Sequence, residues 1–153
     1  MVDARRVDTS EAQRRGLRVG DAATREVALT PEDVSRFATL LGDTNPLHHD
    51  EAAARSTRFG GLIASGAHLT GLLTGFCAKF TTSRTPALGL EFSFRLRRAA
   101  RAGDVFRMRW EVVAVERSDK LAGDLVTLAA EARDGEGRVL VTGKGKVLAK
   151  EAL

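Results

Sequence analysis

The chain has few of the residues that stabilise small secreted domains or membrane proteins. One cysteine, Cys77, is present in 153 residues, so no disulfide can form within the chain. No apolar stretch approaches the roughly 18 residues that a helix needs to cross a bilayer. Residues 1–6 lack the apolar stretch of a signal peptide. These absences predict no membrane association and favour a cytoplasmic protein. In that reducing compartment, Cys77 is expected to be a thiol packed in the core.

Aromatic residues are also scarce, at 5% of the chain, although the net charge is +4 and the pI is about 9.8. Because aromatic rings are few, nucleic-acid bases would have few side chains on which to stack. The basic residues are also not part of a recognised nucleic-acid-binding motif. A nucleic-acid partner is therefore not expected. The densest basic patch is either a solvated sheet face or a surface for a phosphorylated small molecule, and it comprises Arg95, Arg97, Arg98 and Arg101, followed by Arg107 and Arg109.

Histidines are equally few, and neither a metal site nor a phosphate-binding loop is expected. The three histidines and the scattered acids show no metal-ligand spacing, so no metal is expected. Gly60 and Gly61 are followed by no lysine and hydroxyl pair, so they do not form a phosphate-binding loop.

Helical patterns occupy the first half of the chain. Thr30-Pro31-Glu32-Asp33 supplies a helix start, with a capping hydroxyl, a proline and acids in the first turn. A short turn is predicted over 50–55. Ser65 then caps a helix expected to be buried almost all round, because apolar residues recur at spacings of three and four, at Leu69, Leu72, Leu73, Phe76, Cys77 and Phe80.

From about Ala87 the pattern changes to the period of two that is typical of strands. Strands are predicted from residue 87, over 105–115, over 124–133 and over 138–148, and Asp134-Gly135-Glu136-Gly137 predicts a hairpin between the last two. Helices followed by antiparallel strands indicate an α+β domain with the apolar helix on one face of the sheet. We predict a single domain over 16–150, preceded by a loose arm over 1–15.

The segment Gly42-Asp43-Thr44-Asn45-Pro46-Leu47-His48 carries the chemistry. Asn-Pro favours a turn and ends a helix, so Asp43 and His48 are expected on one tight loop with their side chains directed at one point. An acid and an imidazole around one water can take and give the protons needed to add water to an activated double bond. On its own, Asp43 would more often be a turn residue that bonds its own backbone, and the spacing to His48 is what favours catalysis.

Together with Phe59-Gly60-Gly61-Leu62-Ile63-Ala64-Ser65-Gly66 and Arg101-Ala102-Gly103-Asp104, this segment resembles the MaoC-like hydratases, the (R)-specific enoyl-CoA hydratase group of the hotdog fold. The resemblance spans roughly residues 17–148. It implies an antiparallel sheet wrapped around a long apolar helix. It also implies hydration of trans-2-enoyl thioesters to (R)-3-hydroxyacyl thioesters, or the reverse dehydration, by an enzyme of acyl-CoA and fatty acid metabolism.

The resemblance also implies roles for particular residues. Asp43 and His48 correspond to the catalytic pair, with the base and the acid left unassigned. Asn45 corresponds to a motif residue that shapes the loop. Gly66 corresponds to the residue whose backbone N–H receives the thioester oxygen, and Ser65 stands where many members have histidine. Thr74 lies where some members have a serine near the active site.

For partners and cofactors, the resemblance implies a thioester of CoA or of acyl carrier protein as substrate, no separate cofactor, and a homodimer or an assembly of dimers. Two alternatives stay open: a hotdog thioesterase, and a non-catalytic subunit that binds acyl thioesters. The absence of Asp and Glu from residues 66–80 argues against the thioesterase. His49 is expected to be structural or solvated. His68 is expected either to pack in the core or to line the pocket.

Overall fold

The computed structural model describes residues 16–152, so the predicted arm lies outside the described residues. Strand β1 (Ala22–Ala28) is followed by helix α1 (Pro31–Leu40), a 3₁₀ turn (Pro46–His48), the short helix α2 (Glu51–Arg55) and the long helix α3 (Gly66–Thr82). Four strands complete the chain: β2 (Ala87–Leu96), β3 (Val105–Ser118), β4 (Gly123–Asp134) and β5 (Val139–Ala149). The predicted helices and the four strands predicted after them are confirmed in that order, and strand β1 precedes them.

The helices begin where the capping residues predict. Thr30 Oγ1 accepts a hydrogen bond from the Asp33 backbone N–H at 3.1 Å, and Asp33 Oδ2 accepts one from the Thr30 N–H at 2.9 Å. This reciprocal pair satisfies two amides that have no partner within the helix. The bond from the Thr30 backbone is also the main reason why the pKa of Asp33 lies below its usual value. Ser65 caps helix α3 in the same way, because its hydroxyl accepts a hydrogen bond from the His68 N–H at 3.1 Å.

The strands form one antiparallel sheet in the order β1-β3-β4-β5-β2, so β1 and β2 are its edges. Residues 134–137 turn the chain between β4 and β5 as predicted, with Asp134 accepting from the backbone N–H groups of Glu136 and Arg138. Helix α3 packs on one face of the sheet, and its side chains share a core with β3, β4 and β5. Trp110 of β3 is fully buried in that core and donates its indole N–H to the Leu73 carbonyl of α3 at 2.8 Å.

Two glycines in β5 provide room for the aromatic rings of β2. A Cβ on Gly143 would lie 2.4 Å from Phe94 Cδ1 and 2.9 Å from the Ser93 carbonyl oxygen. A Cβ on Gly145 would lie 2.9 Å from Phe92 Cε1. Glycine in a strand interior is normally unfavourable, and here the close passage of these rings explains it.

Helix α3 departs from the prediction that it is buried almost all round. Its inner face is buried, but Ala67, Gly71, Gly75 and Ala78 are exposed. These residues are small and uncharged. In a sequence pattern, an uncharged small residue on an exposed helix face looks the same as one in the core. Strand β2 is likewise less buried than its alternation predicts, because it is an edge strand on which Leu90 and Leu96 are about half exposed. Within residues 16–152, no helix is both long enough and apolar enough to cross a membrane.

Candidate functional site

The loop that carries Asp43 begins where α1 ends. Gly42 has a φ of +72°, the left-handed conformation that glycine adopts most easily after a helix. The Asp43 backbone N–H then bonds back to the Ala38 carbonyl at 2.9 Å, which fixes the start of the loop on the helix. Asp43 Oδ1 accepts from the Asn45 N–H at 3.0 Å, and Asn45 Oδ1 accepts from the Leu47 N–H at 3.1 Å. Two successive side-chain turns therefore set the shape of the loop.

His48, in the 3₁₀ turn that follows, is buried and has a fixed ring. Its Nδ1 lies 2.7 Å from the Ile63 carbonyl oxygen. A carbonyl oxygen can only accept, so Nδ1 carries the proton, and in the neutral ring Nε2 holds a free lone pair. The Ile63 N–H in turn donates to the Leu47 carbonyl at 3.1 Å, which ties the two segments together.

His48 Nε2 and Asp43 Oδ2 are 3.5 Å apart, and 37% of the Asp43 side chain is exposed. This distance is longer than a good hydrogen bond, and with a neutral imidazole both atoms are acceptors. Two acceptors this close are satisfied by a third group that donates to both of them. A water molecule has the two O–H groups required, so the arrangement is suited to hold a water and to remove a proton from it.

His49, the next residue, joins this loop to helix α1. Its Nε2 donates to the Asp43 carbonyl oxygen at 2.6 Å, and its Nδ1 accepts from the Ser35 hydroxyl at 3.0 Å. The ring thus connects the backbone of Asp43 to the side of α1. This bridge is a structural role of the kind expected for His49, but the sequence carries no signal for its partner, because Ser35 lies 14 residues away.

Helix α3 begins at Gly66, three residues after Ile63, whose carbonyl accepts from the His48 ring. Gly66 is the first helical residue, so its N–H has no partner within the helix and points outward with the positive end of the helix dipole. A Cβ at Gly66 would lie 2.5 Å from Cδ1 of Leu96. The end of β2 therefore covers the α carbon of Gly66.

His68 lies one turn into α3 and is a second buried histidine. Its ring stacks on Phe37 of α1, with ring centroids 4.2 Å apart and planes inclined by 2°. Burial lowers its pKa, the nearby Asp33 partly opposes this, and His48 lowers it further. Among residues 16–152, its Nδ1 is the one buried side-chain nitrogen or oxygen without a hydrogen-bond partner. His68 is thus a packed, neutral histidine beside the loop.

Comparison with known proteins gives the family. The model of the MaoC like domain matches residues 18–132. The chain belongs to the MaoC-like family. An (R)-specific enoyl-CoA hydratase from Aeromonas caviae is 33% identical over 132 residues, which are 86% of this chain and 94% of that protein. A UPF0336 protein from Streptomyces griseus is 31% identical over 130 residues, which are 79% of this chain and 83% of that protein.

The solved structure of an unliganded R-hydratase from Pseudomonas aeruginosa superposes with a TM-score of 0.77 at 28% identity, covering 88% of this chain and 83% of that chain. The family and the hotdog fold that the sequence motifs predicted are therefore confirmed.

The structure brings together most of the predicted site residues of this MaoC-like domain. Asp43, Asn45 and His48 share one loop, and Ser65 and Gly66 begin the helix beside it. Thr74 does not join them. It lies eight residues along α3 from Gly66, about 12 Å at the usual rise of a helix, and its hydroxyl bonds to the Thr70 carbonyl at 2.8 Å. The roles of these residues stay predictions.

The bridge through His49 makes a testable prediction about the stability of the loop. His49→Ala removes two side-chain hydrogen bonds, and a net loss of about 1–2 kcal/mol is typical of such a change. The amide hydrogens of His48 and Asp50, which bond to the Asn45 and Pro46 carbonyls, should then exchange roughly 5–30-fold faster in hydrogen-exchange measurements.

Thr39→Ala is the matched control. It removes a side-chain bond to the Ser35 carbonyl within α1 that does not contact the loop, so exchange in the loop should stay at the wild-type rate. Unchanged exchange in His49→Ala would show that the ring does not hold the loop.

Proposed function

We propose that this protein is a hydro-lyase that adds water to trans-2-enoyl thioesters to give (R)-3-hydroxyacyl thioesters, and catalyses the reverse dehydration. The observation that carries the proposal is the pair of acceptors, His48 Nε2 and Asp43 Oδ2, held 3.5 Å apart on a fixed loop. The names of the A. caviae and P. aeruginosa relatives support the same reaction. The sequence motifs predicted this reaction, and the geometry supplies its chemical basis.

In the proposed hydration, one water provides both new substituents. As its oxygen bonds to C3 of the enoyl group, His48 Nε2 takes a proton from it, and the π electrons move to the thioester oxygen as an enolate. The imidazolium is stabilised by the Asp43 carboxylate and by the bond from Nδ1 to the Ile63 carbonyl. The proton on Nε2 is then transferred to C2, so the enzyme returns to its starting state.

The developing enolate needs a donor, and Gly66 provides one. Its N–H at the start of α3 is free of helical bonds and lies at the positive end of the helix dipole, the site where an anionic oxygen is best stabilised. In this proposal Ser65 and Asn45 hold the backbone in place through their capping bonds and do not contact the substrate.

The substrate we propose is an enoyl thioester of CoA or of acyl carrier protein, and the reaction needs no cofactor besides it. A thioesterase is not favoured, since α3 carries no Asp or Glu that could act on the thioester carbonyl. A subunit that only binds acyl thioesters has no need of a buried histidine with a free lone pair opposite a carboxylate.

The direct test uses crotonyl-CoA with purified protein. Loss of the enoyl thioester absorbance and formation of the (R)-3-hydroxy product are expected. Asp43→Asn should lower kcat by about 10²–10⁴-fold, because the amide presents a donor and no charge where the imidazolium forms. His48→Gln should lose activity to a similar extent.

The matched control is Asp119→Asn, a fully exposed aspartate in the turn between β3 and β4, which should keep wild-type activity. Circular dichroism checks the fold of each variant. Asp43→Asn with most of its activity would overturn the mechanism. Release of free thiol without hydration would instead indicate the thioesterase, and tight acyl-CoA binding without turnover would indicate the binding subunit.

The role of Gly66 can be tested by removing only its N–H. Gly66→Pro deletes the donor at the first helical position, where proline is well tolerated and where Ser65 already has the extended backbone that precedes a proline. We expect kcat to fall by about 10²–10³-fold.

Gly66→Ala is the control, because it keeps the N–H and adds the same Cβ against the flexible end of Leu96. It should lose far less activity than Gly66→Pro. Equal losses in the two variants would show that crowding, and not the donor, limits the reaction.

We propose further that the protein is a homodimer joined through β2. This edge strand has one side without a backbone partner in the sheet and exposes Leu88, Leu90 and Leu96. Exposed apolar edge strands are the usual sites of strand pairing between chains. Leu90→Glu should shift the mass measured by analytical ultracentrifugation from dimer to monomer, whereas Val113→Glu, on the interior strand β3, should leave it unchanged. A monomeric wild type would contradict the proposal.

A further inference from the structure

A pocket of about 350 Å³ opens beside the segment that holds His48. We call it the arginine pocket, and its polar and aromatic lining includes Arg58, Phe59, Arg98, Arg101 and Arg138. These residues come from three separate parts of the chain: the loop after α2, the loop after β2 and the turn before β5. Of the basic patch described from the sequence, Arg98 and Arg101 line this pocket, and the fold adds Arg58 and Arg138 from other parts of the chain.

Three of these arginines are not neutralised. Within the described part of the chain, no carboxylate lies within 4.0 Å of Arg58, Arg98 or Arg101. Two arginines outside the pocket are neutralised instead: Arg107 pairs with Glu26 at 2.9 Å, and Arg133 pairs with Glu131 at 3.0 Å. A concave surface with several uncompensated guanidinium groups attracts anions, and their planar forks match phosphate oxygens.

Asp134, one of the two acids that line the pocket, is paired with Arg138. Asp134 accepts from Arg138 Nε at 2.8 Å and raises the pKa of its guanidinium, and Asp104 adds a smaller effect in the same direction. Arg138 is therefore satisfied within the protein. The positive charge of the other three arginines stays available to a ligand.

An aromatic ring lies among these charges. Phe59 is half-buried, and the Arg58 guanidinium lies over its ring at 4.9 Å from the centroid. A phosphate-binding surface for inorganic anions needs no ring. A guanidinium stacked on a phenyl ring beside further arginines suits a ligand that combines phosphates with a planar heterocycle.

The arginine pocket is joined directly to the candidate active site. Ile63, whose carbonyl accepts from His48, pairs with Arg101 in an antiparallel bridge. On either side of this bridge, the Ala64 N–H donates to the Ala100 carbonyl and the Ala102 N–H donates to the Leu62 carbonyl, both at 2.9 Å. One side of this two-stranded segment therefore orients the catalytic ring, and the other side carries the arginines.

We propose that the arginine pocket binds the 3′-phosphorylated adenosine diphosphate end of a coenzyme A thioester, with Arg58, Arg98 and Arg101 on its phosphates and Phe59 beside its base. This inference rests on the proposed function and deepens it, because it selects the free CoA thioester over the carrier-protein thioester. The arm that links the nucleotide to the thioester would follow the segment from Arg101 towards Ile63 and Gly66.

The test compares two substrates that share the reacting end. Crotonyl-CoA carries the nucleotide, and the crotonyl thioester of N-acetylcysteamine does not. Arg98→Gln, and the double variant Arg58→Gln/Arg101→Gln, should raise KM for crotonyl-CoA about tenfold or more, the usual effect of losing one charge-assisted hydrogen bond. Kinetics with the N-acetylcysteamine thioester should not change. Arg107→Gln, outside the pocket, is the control and should match the wild type with both substrates.

A titration with CoA, followed by calorimetry, separates failure of this inference from failure of the proposed function. If neither thioester is hydrated but CoA binds the wild type and not the double variant, the pocket assignment stands while the proposed function falls. If both thioesters are hydrated and the variants bind and use CoA as the wild type does, the pocket assignment is overturned while the proposed function stands. Variants that impair only a crotonyl carrier-protein thioester would also overturn it, in favour of an acidic protein partner.

Discussion

The hydrogen bond from His48 Nδ1 to the Ile63 carbonyl oxygen, 2.7 Å long, is the constraint on which the candidate site depends. Because a carbonyl can only accept, the bond decides which ring nitrogen carries the proton. It also directs the free lone pair of Nε2 towards Asp43. Without this bond, a buried histidine near a carboxylate would be free to take the other tautomer and donate to Asp43, and no lone pair would be left for a water.

The same carbonyl connects the site to the rest of the fold. Ile63 lies in a short extended segment between the Leu47 backbone and the loop at Arg101, so its position is set by hydrogen bonds on both sides. On the opposite side of the Asp43 loop, His49 bonds to Ser35 of α1. The loop is therefore held between a helix and an extended segment, and side chains on a loop gain precision when rigid elements hold it on both sides.

The sequence predicted most clearly those features that depend on neighbours in the chain. The capping residues Thr30 and Ser65 start their helices as expected, and the Asn-Pro step places Asp43 and His48 on one loop. The sequence did not predict the features that depend on partners far away in the chain. The bridge from His49 to Ser35 joins residues with no shared pattern. The acceptor at Ile63 is a backbone carbonyl, which every residue has, so its role leaves no mark in the sequence.

The exposed side of α3 and the edge strand β2 show why a pattern of apolar residues does not fix burial. Leucines on β2 are half exposed in one chain, although their alternation is that of a half-buried strand, and a second chain across the edge would account for this pattern. Leu96, the last residue of β2, also lies against the α carbon of Gly66. The strand that would join two chains thus ends on the residue that would receive the thioester oxygen, so pairing across this edge would fix the position of Leu96 and the access of substrate to Gly66 together.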